Sequence, residues 1–237
     1  MMQNNPMYIR NEILFQTANS ILKECKSKNI ELRLFGSVAL LFLDLSKKEW
    51  LFENRQQFGD IDFVVNSKDI DDLEKLLIGL NYENNKNVKM LHGNQRRSFY
   101  TSQNISIDFF LDNIILCQPI EINKRFNLSY PTLSPTDLFL SKIQRIGLKS
   151  KDLFDLDYIL TFEIDSVYLI QLCSNEWGWW QTFNSNLPVL LNYTKNTQNK
   201  TKIEILIDEI GKEEKSLKWK WRNLFGTNLK WHNDVEE

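Results

Sequence analysis

The sequence predicts an α/β protein of the α+β kind, with a mixed sheet and its helices followed by a mainly helical C-terminal domain. Short segments of alternating or continuous apolar residues, typical of strands, are interspersed with helical segments in the first half of the chain. Helical spacing dominates after about residue 130, and 237 residues suffice for a full domain and a smaller companion. We therefore predict a sheet domain at residues 1–131 and a helical domain at residues 132–237.

The composition is that of an ordinary globular protein, with 42% hydrophobic and 25% charged residues. The formal net charge of −2 gives no global basic field that would indicate nucleic-acid binding, although a local patch remains open. No apolar segment approaches the roughly 20 residues that a membrane helix needs, and no signal peptide begins the chain. We expect a cytoplasmic protein, with no membrane as a partner.

The three cysteines, Cys25, Cys117 and Cys173, are isolated from one another. Their odd number and wide spacing argue against a disulfide framework and against a cysteine-rich zinc site. We expect buried free thiols.

In the first half, helical spacing covers residues 8–28, 38–43 and 69–80, with Ser67 as a candidate cap of the last helix. Strand patterns cover residues 30–35, 61–65, 97–100 and 105–110, and the last two are separated by a Ser-Gln-Asn turn. We expect these last two strands to form a hairpin.

In the second half, Ser134 and Pro135 mark a clear helix start, because a capping serine precedes a proline at the first helical position. Further helices are expected at residues 151–162, 167–173 and 200–218, with a break at Pro188. The Asn- and Lys-rich segments 84–89 and 194–202 are expected to be exposed loops.

Paired carboxylates stand at the second predicted strand. Asp60 and Asp62 are two residues apart, so both project from one face while Ile61 enters the core on the other. Asp108, on another predicted strand, supplies a third carboxylate if the two strands are neighbours. Asp112 lies on the same strand face as Asp108 and competes with it for this role.

Clustered carboxylates need cations. Two carboxylates about 4 Å apart repel by roughly 4 kcal/mol at an effective dielectric near 20, and a whole domain is stable by only about 5–15 kcal/mol. Oxygen ligands without nearby histidine or cysteine favour Mg²⁺, or Mn²⁺, over zinc. Asp60, Asp62 and Asp108 are therefore the predicted metal ligands and catalytic residues.

Gly36 and Ser37 follow the first predicted strand and precede a predicted helix. Glycine lets the backbone approach a phosphate closely, and N–H groups at a helix start favour anions. This turn is the predicted phosphate-binding element for a nucleoside triphosphate.

Together these motifs resemble the signature of the DNA polymerase beta-like nucleotidyltransferase superfamily: Leu34-Phe35-Gly36-Ser37, then Gly59-Asp60-Ile61-Asp62-Phe63, then Ile107-Asp108-Phe109. The resemblance covers about the first 130 residues and implies a mixed sheet, two divalent ions and transfer of a nucleoside monophosphate from a triphosphate. It implies that Gly36 and Ser37 contact the phosphates and that the three aspartates hold the metals. The segment between Ser37 and Asp60 is longer than is usual in the superfamily.

A narrower resemblance extends further along the chain, through Leu91-His92-Gly93 with Arg96-Arg97, residues 137–144, Lys151-Asp152 with Asp155, and Glu176-Trp177-Gly178-Trp179. These blocks are similar to a prokaryotic group of nucleotidyltransferase-like proteins that resembles the toxin half of abortive-infection toxin–antitoxin pairs. That resemblance implies that Lys142 faces the triphosphate and that Lys151 and Asp152 shape the substrate side. It also implies an antitoxin partner.

Several of these residues have simpler explanations. Arg96 and Arg97 fit a phosphate or RNA contact or an ordinary surface, and Lys142 fits a solvated helix face. Lys151 and Asp152 fit a charged helix start, since acidic side chains are favoured there. The tryptophans at positions 177, 179, 180, 219, 221 and 231 fit a core, or a surface on which bases stack among Lys218, Lys220 and Arg222.

We therefore expect an Mg²⁺-dependent enzyme that transfers a nucleoside monophosphate to an acceptor hydroxyl, on RNA or tRNA or on a small molecule. The alternative is a catalytically silent nucleotide-binding protein or an interaction protein of a toxin–antitoxin pair.

Overall fold

The computed structural model describes residues 5–55 and 57–233. Within this part of the chain the α-helices are α1 (Pro6–Ser27), α2 (Leu40–Leu43), α3 (Lys48–Asn54), α4 (Ile70–Gly79), α5 (Lys86–His92), α6 (Pro135–Ile143), α7 (Ser150–Ile159), α8 (Ser166–Asn175), α9 (Trp177–Tyr193), α10 (Thr197–Lys212) and α11 (Leu217–Asn223). The strands are β1 (Leu32–Phe35), β2 (Ile61–Val65), β3 (Glu83–Asn84), β4 (Arg96–Tyr100), β5 (Ser106–Leu111), β6 (Asn113–Ile115) and β7 (Pro119–Glu121). The predicted α+β class is confirmed.

The main sheet has five strands in the order β1-β2-β5-β4-β3. Strands β2 and β5 are parallel, whereas β1 pairs with β2, β4 with β5 and β3 with β4 in antiparallel fashion. The predicted hairpin of β4 and β5 is confirmed. Strands β6 and β7 form a separate two-stranded sheet.

Alternation along the central strands fixes which side chains enter the core. Ile61, Phe63, Ile107 and Phe109 are fully buried, and the rings of the register partners Phe63 and Phe109 stack with centroids 5.3 Å apart. Because successive side chains point to opposite faces, the residues between them face the other way. The core therefore fixes the face from which the site residues project.

Helix α1 forms because its apolar residues recur at helical spacing and its ends are capped. The Asn5 side chain accepts a hydrogen bond from the Met7 backbone N–H at 3.0 Å, and Pro6 occupies the first helical position. The buried residues Leu14, Ala18 and Ile21 lie on one face of the helix.

Three predictions about the first half are wrong in detail. The segment after Gly36-Ser37 forms only the four-residue helix α2, because residues 36–39 make a turn first. Residues 86–89, expected as part of a loop, belong to α5 (Lys86–His92), whose cap Asn85 accepts hydrogen bonds from the N–H groups of Asn87 and Val88. Ser67 caps no helix and lies in a 3₁₀ turn before α4.

Two predictions about the second half are also wrong. Pro188 does not end a helix, because α9 continues through it from Trp177 to Tyr193. The proline removes one helical hydrogen bond, but the buried residues Phe183, Leu187 and Leu190 anchor the helix on both sides of it. Helix α10 begins at Thr197, inside the segment predicted to be a loop, with Asn196 as its cap.

The chain divides into two compact units. The first extends to Ile114 and continues from Glu121 to Ser134, and the second comprises Ile115–Ile120 and the described chain from Pro135 onward. The first contains the five-stranded sheet and the second contains α6 to α11. The division into independent domains at residue 131 stays a prediction.

Cys25, Cys117 and Cys173 are buried free thiols, as expected. Burial raises the pKa of the Cys25 thiol to about 12. No helix in the described ranges 5–55 and 57–233 has the length and apolar character that a membrane crossing requires.

Candidate active site

The structure places Asp62 and Asp108 directly beside each other. They are register partners on the parallel strands β2 and β5, so their side chains project from the same face of the sheet. Asp108 is 3% exposed and Asp62 is half-buried. The predicted site required these two strands to be neighbours, and they are neighbours in the structure.

Gly36 follows β1, the strand that pairs with β2 on the side away from β5, and it lies against Asp62. Its φ of +71° is in the left-handed region, and a Cβ built on it would lie 2.1 Å from Oδ2 of Asp62. Only glycine combines this backbone angle with this close approach at low cost. The turn and the carboxylate are therefore packed as one element.

Ser37 lies next to this turn and is 9% exposed. Its hydroxyl accepts a hydrogen bond from the Gly59 backbone N–H at 3.4 Å, which connects the turn to the segment before β2. Because α2 has only four residues, its dipole adds little to anion binding. The phosphate-binding role of Gly36 and Ser37 stays a prediction that rests on the turn itself.

Arg96 and Ser98 hold Asp108. The Arg96 guanidinium donates from Nε to Oδ1 at 3.2 Å and from Nη2 to Oδ2 at 2.6 Å. The Ser98 hydroxyl donates to Oδ1 as well, from the position opposite Asp108 in the β4–β5 hairpin. Asp108 therefore has a complete set of partners within the first unit.

Asp60 precedes β2 and lies near two arginines. Although the residue is exposed overall, desolvation of its carboxyl by the surrounding protein and the charge of Asp108 raise the pKa of Asp60. The guanidinium groups of Arg10 and Arg96 act in the opposite direction on that pKa. Charges of both signs thus converge on this end of β2.

The oxygen-only donor set of Asp60, Asp62 and Asp108 has the chemistry that hard divalent ions prefer. Within residues 5–55 and 57–233, however, no group of three or more His, Cys, Asp or Glu side chains is arranged to hold a metal ion. The two carboxylate oxygens of Asp108 instead accept hydrogen bonds from Arg96 and Ser98. Metal binding by the three aspartates stays a prediction.

Asp112, the competing third ligand, has a structural contact. Its Oδ1 accepts a hydrogen bond from the Ser67 backbone N–H at 2.8 Å, and its φ is +60°. It follows the end of β5, four residues or about 13 Å along the strand from Asp108. The structure therefore favours Asp108 over Asp112 as the partner of Asp62.

Arg97 points away from the aspartates. Its Nε donates to Glu74 at 2.5 Å, both side chains are 12% exposed, and its Nη1 donates to the carbonyl of Gly93. These contacts connect β4 to α4 and to the end of α5. They favour the structural explanation of Arg97 over a phosphate contact.

Lys142, Lys151 and Asp152 belong to the second unit. The Lys142 ammonium pairs with buried Asp155 at 2.8 Å. Asp152, 1% exposed, accepts from the Lys149 backbone N–H at 3.2 Å and pairs with Arg145, so it stabilises the start of α7. Lys151 is exposed. Their roles beside the substrate stay predictions.

The tryptophans divide between core and surface. Trp177 and Trp179 are 3% and 2% exposed, whereas Trp221 is 70% exposed. A cavity of about 710 Å³ in the second unit is bordered by Trp177 and Trp231 and by several cations, namely Lys218, Arg222 and Lys230. The core explanation fits Trp177 and Trp179, and the cavity border leaves a local basic surface open.

Two contacts at the site were missed by sequence reasoning. Ser98 could have been found from the hairpin register, which places it opposite Asp108. Arg10 belongs to no motif, and only the fold of α1 brings its charge near Asp60.

The chain matches the model of a known protein family. The model of the AbiEii family, described as "Nucleotidyl transferase AbiEii toxin, Type IV TA system", matches residues 59–227. The matched segment covers more than half of the chain. No curated protein matches the chain.

Among solved structures, the chain is similar to the crystal structure of an antigenic nucleotidyltransferase-like protein from Paracoccidioides brasiliensis. The two are 15% identical, the alignment covers 86% of this chain and 94% of that one, and the TM-score is 0.45.

Proposed function

Because the chain belongs to the AbiEii family of toxin nucleotidyltransferases and is itself a nucleotidyltransferase, we propose that it transfers a nucleoside monophosphate from a nucleoside triphosphate to an acceptor hydroxyl on RNA. In this proposal Asp60, Asp62 and Asp108 are the catalytic residues, and they hold Mg²⁺ or Mn²⁺. Gly36 and Ser37 contact the phosphates.

The observation that carries the proposal is the pairing of Asp62 with Asp108 across parallel strands, with Gly36 packed against Asp62. A carboxylate cluster beside an open backbone turn suits a metal–triphosphate complex, because the carboxylates take the metal and the turn approaches the phosphates.

The residues act mainly by position and charge, as is usual in phosphoryl chemistry. In this proposal Asp62 and Asp108 orient the triphosphate, and Asp108 also aligns the acceptor hydroxyl with the α-phosphorus. A bound divalent ion supplies charge neutralisation and lowers the pKa of the attacking hydroxyl. The attacking oxygen forms a bond to the α-phosphorus as the bond to pyrophosphate breaks, and the hydroxyl proton leaves to a nearby base or water.

RNA, including tRNA, is favoured over a small molecule by the second unit. Its cavity is bordered by Trp231 and by the cations Arg222 and Lys230, while Lys218 in the same lining pairs with Glu176. An aromatic surface beside positive charge is the combination that single-stranded RNA binds. The net charge of −2 restricts this attraction to a local patch.

We further propose an antitoxin as the partner of this chain, in keeping with its family.

The test is to incubate the purified chain with each α-³²P-labelled NTP, Mg²⁺ and either RNA or the RNA-free small-molecule fraction of a bacterial lysate. We expect label on RNA that ribonuclease removes. Label confined to the small-molecule fraction would contradict the RNA acceptor, and the absence of label in both would contradict the transferase proposal.

The matched pair of variants is Asp108→Asn and Asp112→Asn. Asparagine at 112 keeps the oxygen that accepts from Ser67 and tolerates the positive φ, so activity should persist. Asp108→Asn should abolish labelling, because the amide cannot neutralise a divalent ion. Equal activity of the two variants would remove Asp108 from the site.

A further inference from the structure

Arg96 makes an unusually complete contact with a predicted metal ligand. Its guanidinium contacts both carboxylate oxygens of Asp108, at 3.2 and 2.6 Å, and Ser98 shares one of them. A two-pronged guanidinium–carboxylate contact is strong and directional. It occupies the oxygens through which Asp108 would bind a divalent ion.

The charge of Arg96 interacts with all three aspartates. The Arg96 guanidinium contacts Asp108 directly, and its charge also interacts with the charges of Asp62 and Asp60. The guanidinium therefore supplies the positive charge that an acidic cluster needs. It does so in the same place where the proposed function requires metal charge.

Arg96 can leave this position, whereas Asp108 is fixed. The Arg96 side chain is 41% exposed, against 4% for that of Asp108. Its guanidinium carbon lies 5.1 Å from the centre of the Phe110 ring, so one side of the group faces an aromatic surface. Rotation of the arginine requires no movement of the strands or of the buried core.

We propose that Arg96 is the resident counter-ion of Asp108 in the metal-free enzyme, and that it exchanges places with the divalent ion that arrives with the triphosphate. On release, the guanidinium contacts the phosphates, for which its planar fork is well suited. Arg96 is thus a positioning residue that couples metal entry to nucleotide binding. This inference rests on the proposed function, since it assumes that Asp108 is a metal ligand.

Two consequences follow for the nucleotide-free protein. The Arg96 guanidinium neutralises charge in the acidic cluster without a metal ion. Free Mg²⁺ or Mn²⁺ must therefore compete with this guanidinium for the oxygens of Asp108. The metal then binds well only when the triphosphate provides an alternative partner for Arg96. A guanidinium at contact distance repels a second cation at the same oxygens, so it weakens metal binding there.

The experiment measures Mn²⁺ binding to the full chain without nucleotide, by electron paramagnetic resonance of the free ion. Arg96→Gln should bind Mn²⁺ about tenfold more tightly than the wild type, or more. Arg97→Gln, a change in the neighbouring arginine that pairs with Glu74, should leave Mn²⁺ affinity unchanged. The double variant Arg96→Gln/Asp108→Asn should lose the gain, which would place the ion at Asp108.

Arg96→Lys keeps the charge but cannot make the two-pronged contact, and it should tighten Mn²⁺ binding by a smaller factor of about threefold. Unchanged or weaker Mn²⁺ affinity in both folded variants, or in Arg96→Lys if Arg96→Gln does not fold, would overturn the inference. If Mn²⁺ tightens as expected but the wild type transfers no nucleotide, the proposed function fails and the counter-ion role stands. If the wild type transfers nucleotide but the Arg96 variants do not bind Mn²⁺ more tightly, the counter-ion role fails and the proposed function stands.

Discussion

At the scale of single residues, the site depends on how closely the backbone at Gly36 approaches the Asp62 carboxylate. No side chain fits between them, since a Cβ at position 36 would lie 2.1 Å from Oδ2 of Asp62. The positive φ adds a second reason for glycine. One residue therefore serves both the turn and the position of a proposed metal ligand.

Gly36→Ala should destabilise the chain by about 1–2 kcal/mol through its left-handed backbone angle alone, with a further loss from displacement of Asp62. Nucleotide transfer should fall more steeply than stability, because the carboxylate must move. Urea unfolding and the labelling assay measure the two effects. The control is Gly79→Ala at the end of α4, where an added Cβ meets no atom within 4 Å. Identical behaviour of the two variants would show that the contact with Asp62 does not matter.

The residue types of the site were predictable, because Asp60, Asp62 and Asp108 occur in strand patterns that put carboxylates on one face. The partner of Asp108 was not. Arg96 and Asp108 meet only because β4 and β5 pair in the register that puts Ser98 opposite Asp108. Charge in the sequence does not indicate which acid an arginine will contact.

At the scale of elements, Glu74 connects three of them. It lies on α4 and pairs with Lys89 of α5 at 2.6 Å and with Arg97 of β4 at 2.5 Å. Burial alone would raise the pKa of Glu74, but its hydrogen bonds and charge interactions with Lys89 and Arg97 outweigh burial and lower it. A depressed carboxylate pKa means that ionised Glu74 stabilises the folded state.

Glu74→Gln should therefore cost about 1–2 kcal/mol at neutral pH. The sign of the pH dependence follows from the direction of the shift. The advantage of the wild type is fully present above the ordinary pKa of 4.5 and is lost as the pH falls through the lower folded value. Urea unfolding of both proteins between neutral and acidic pH measures this difference.

Asp72→Asn is the control for Glu74, because Asp72 lies on the same helix and pairs with Lys75 while both side chains are more than 70% exposed. An exposed pair of this kind contributes about 0–1 kcal/mol. Its removal should give a small effect with little dependence on pH. If the difference in unfolding free energy between wild type and Glu74→Gln stays constant as the pH falls below the ordinary pKa of 4.5, the pairing of Glu74 with Lys89 and Arg97 is contradicted.

Strands and long helices were predictable from periodicity, whereas their interruptions were not. Strand β2 lies where its alternation predicts it, at Ile61–Val65. Helix α9 continues through Pro188 because buried apolar residues on either side offset one lost hydrogen bond. Helix α5 has only seven residues and none of them is buried, so its apolar residues Met90 and Leu91 are exposed and its sequence is too short to identify it by periodicity.

At the scale of the whole molecule, the class of the fold followed from the change in periodicity near residue 130. What periodicity could not supply was strand order, since β2 and β5 are far apart in sequence and pair in parallel. The predicted site required that pairing, because Asp62 and Asp108 could share the proposed metal only on adjacent strands. The predicted site thus constrained the topology where local patterns did not.

The central claim is that this acidic cluster moves a nucleoside monophosphate. The most direct measurement compares α-³²P- and γ-³²P-labelled NTP in the presence of Mg²⁺, with wild type and Asp62→Asn. We expect the wild type to transfer the α label only and to release labelled pyrophosphate from the γ-labelled NTP, and we expect Asp62→Asn to be slower by about 100-fold or more. Equal α-label transfer by the two proteins, or transfer of the γ label to the acceptor, would contradict it.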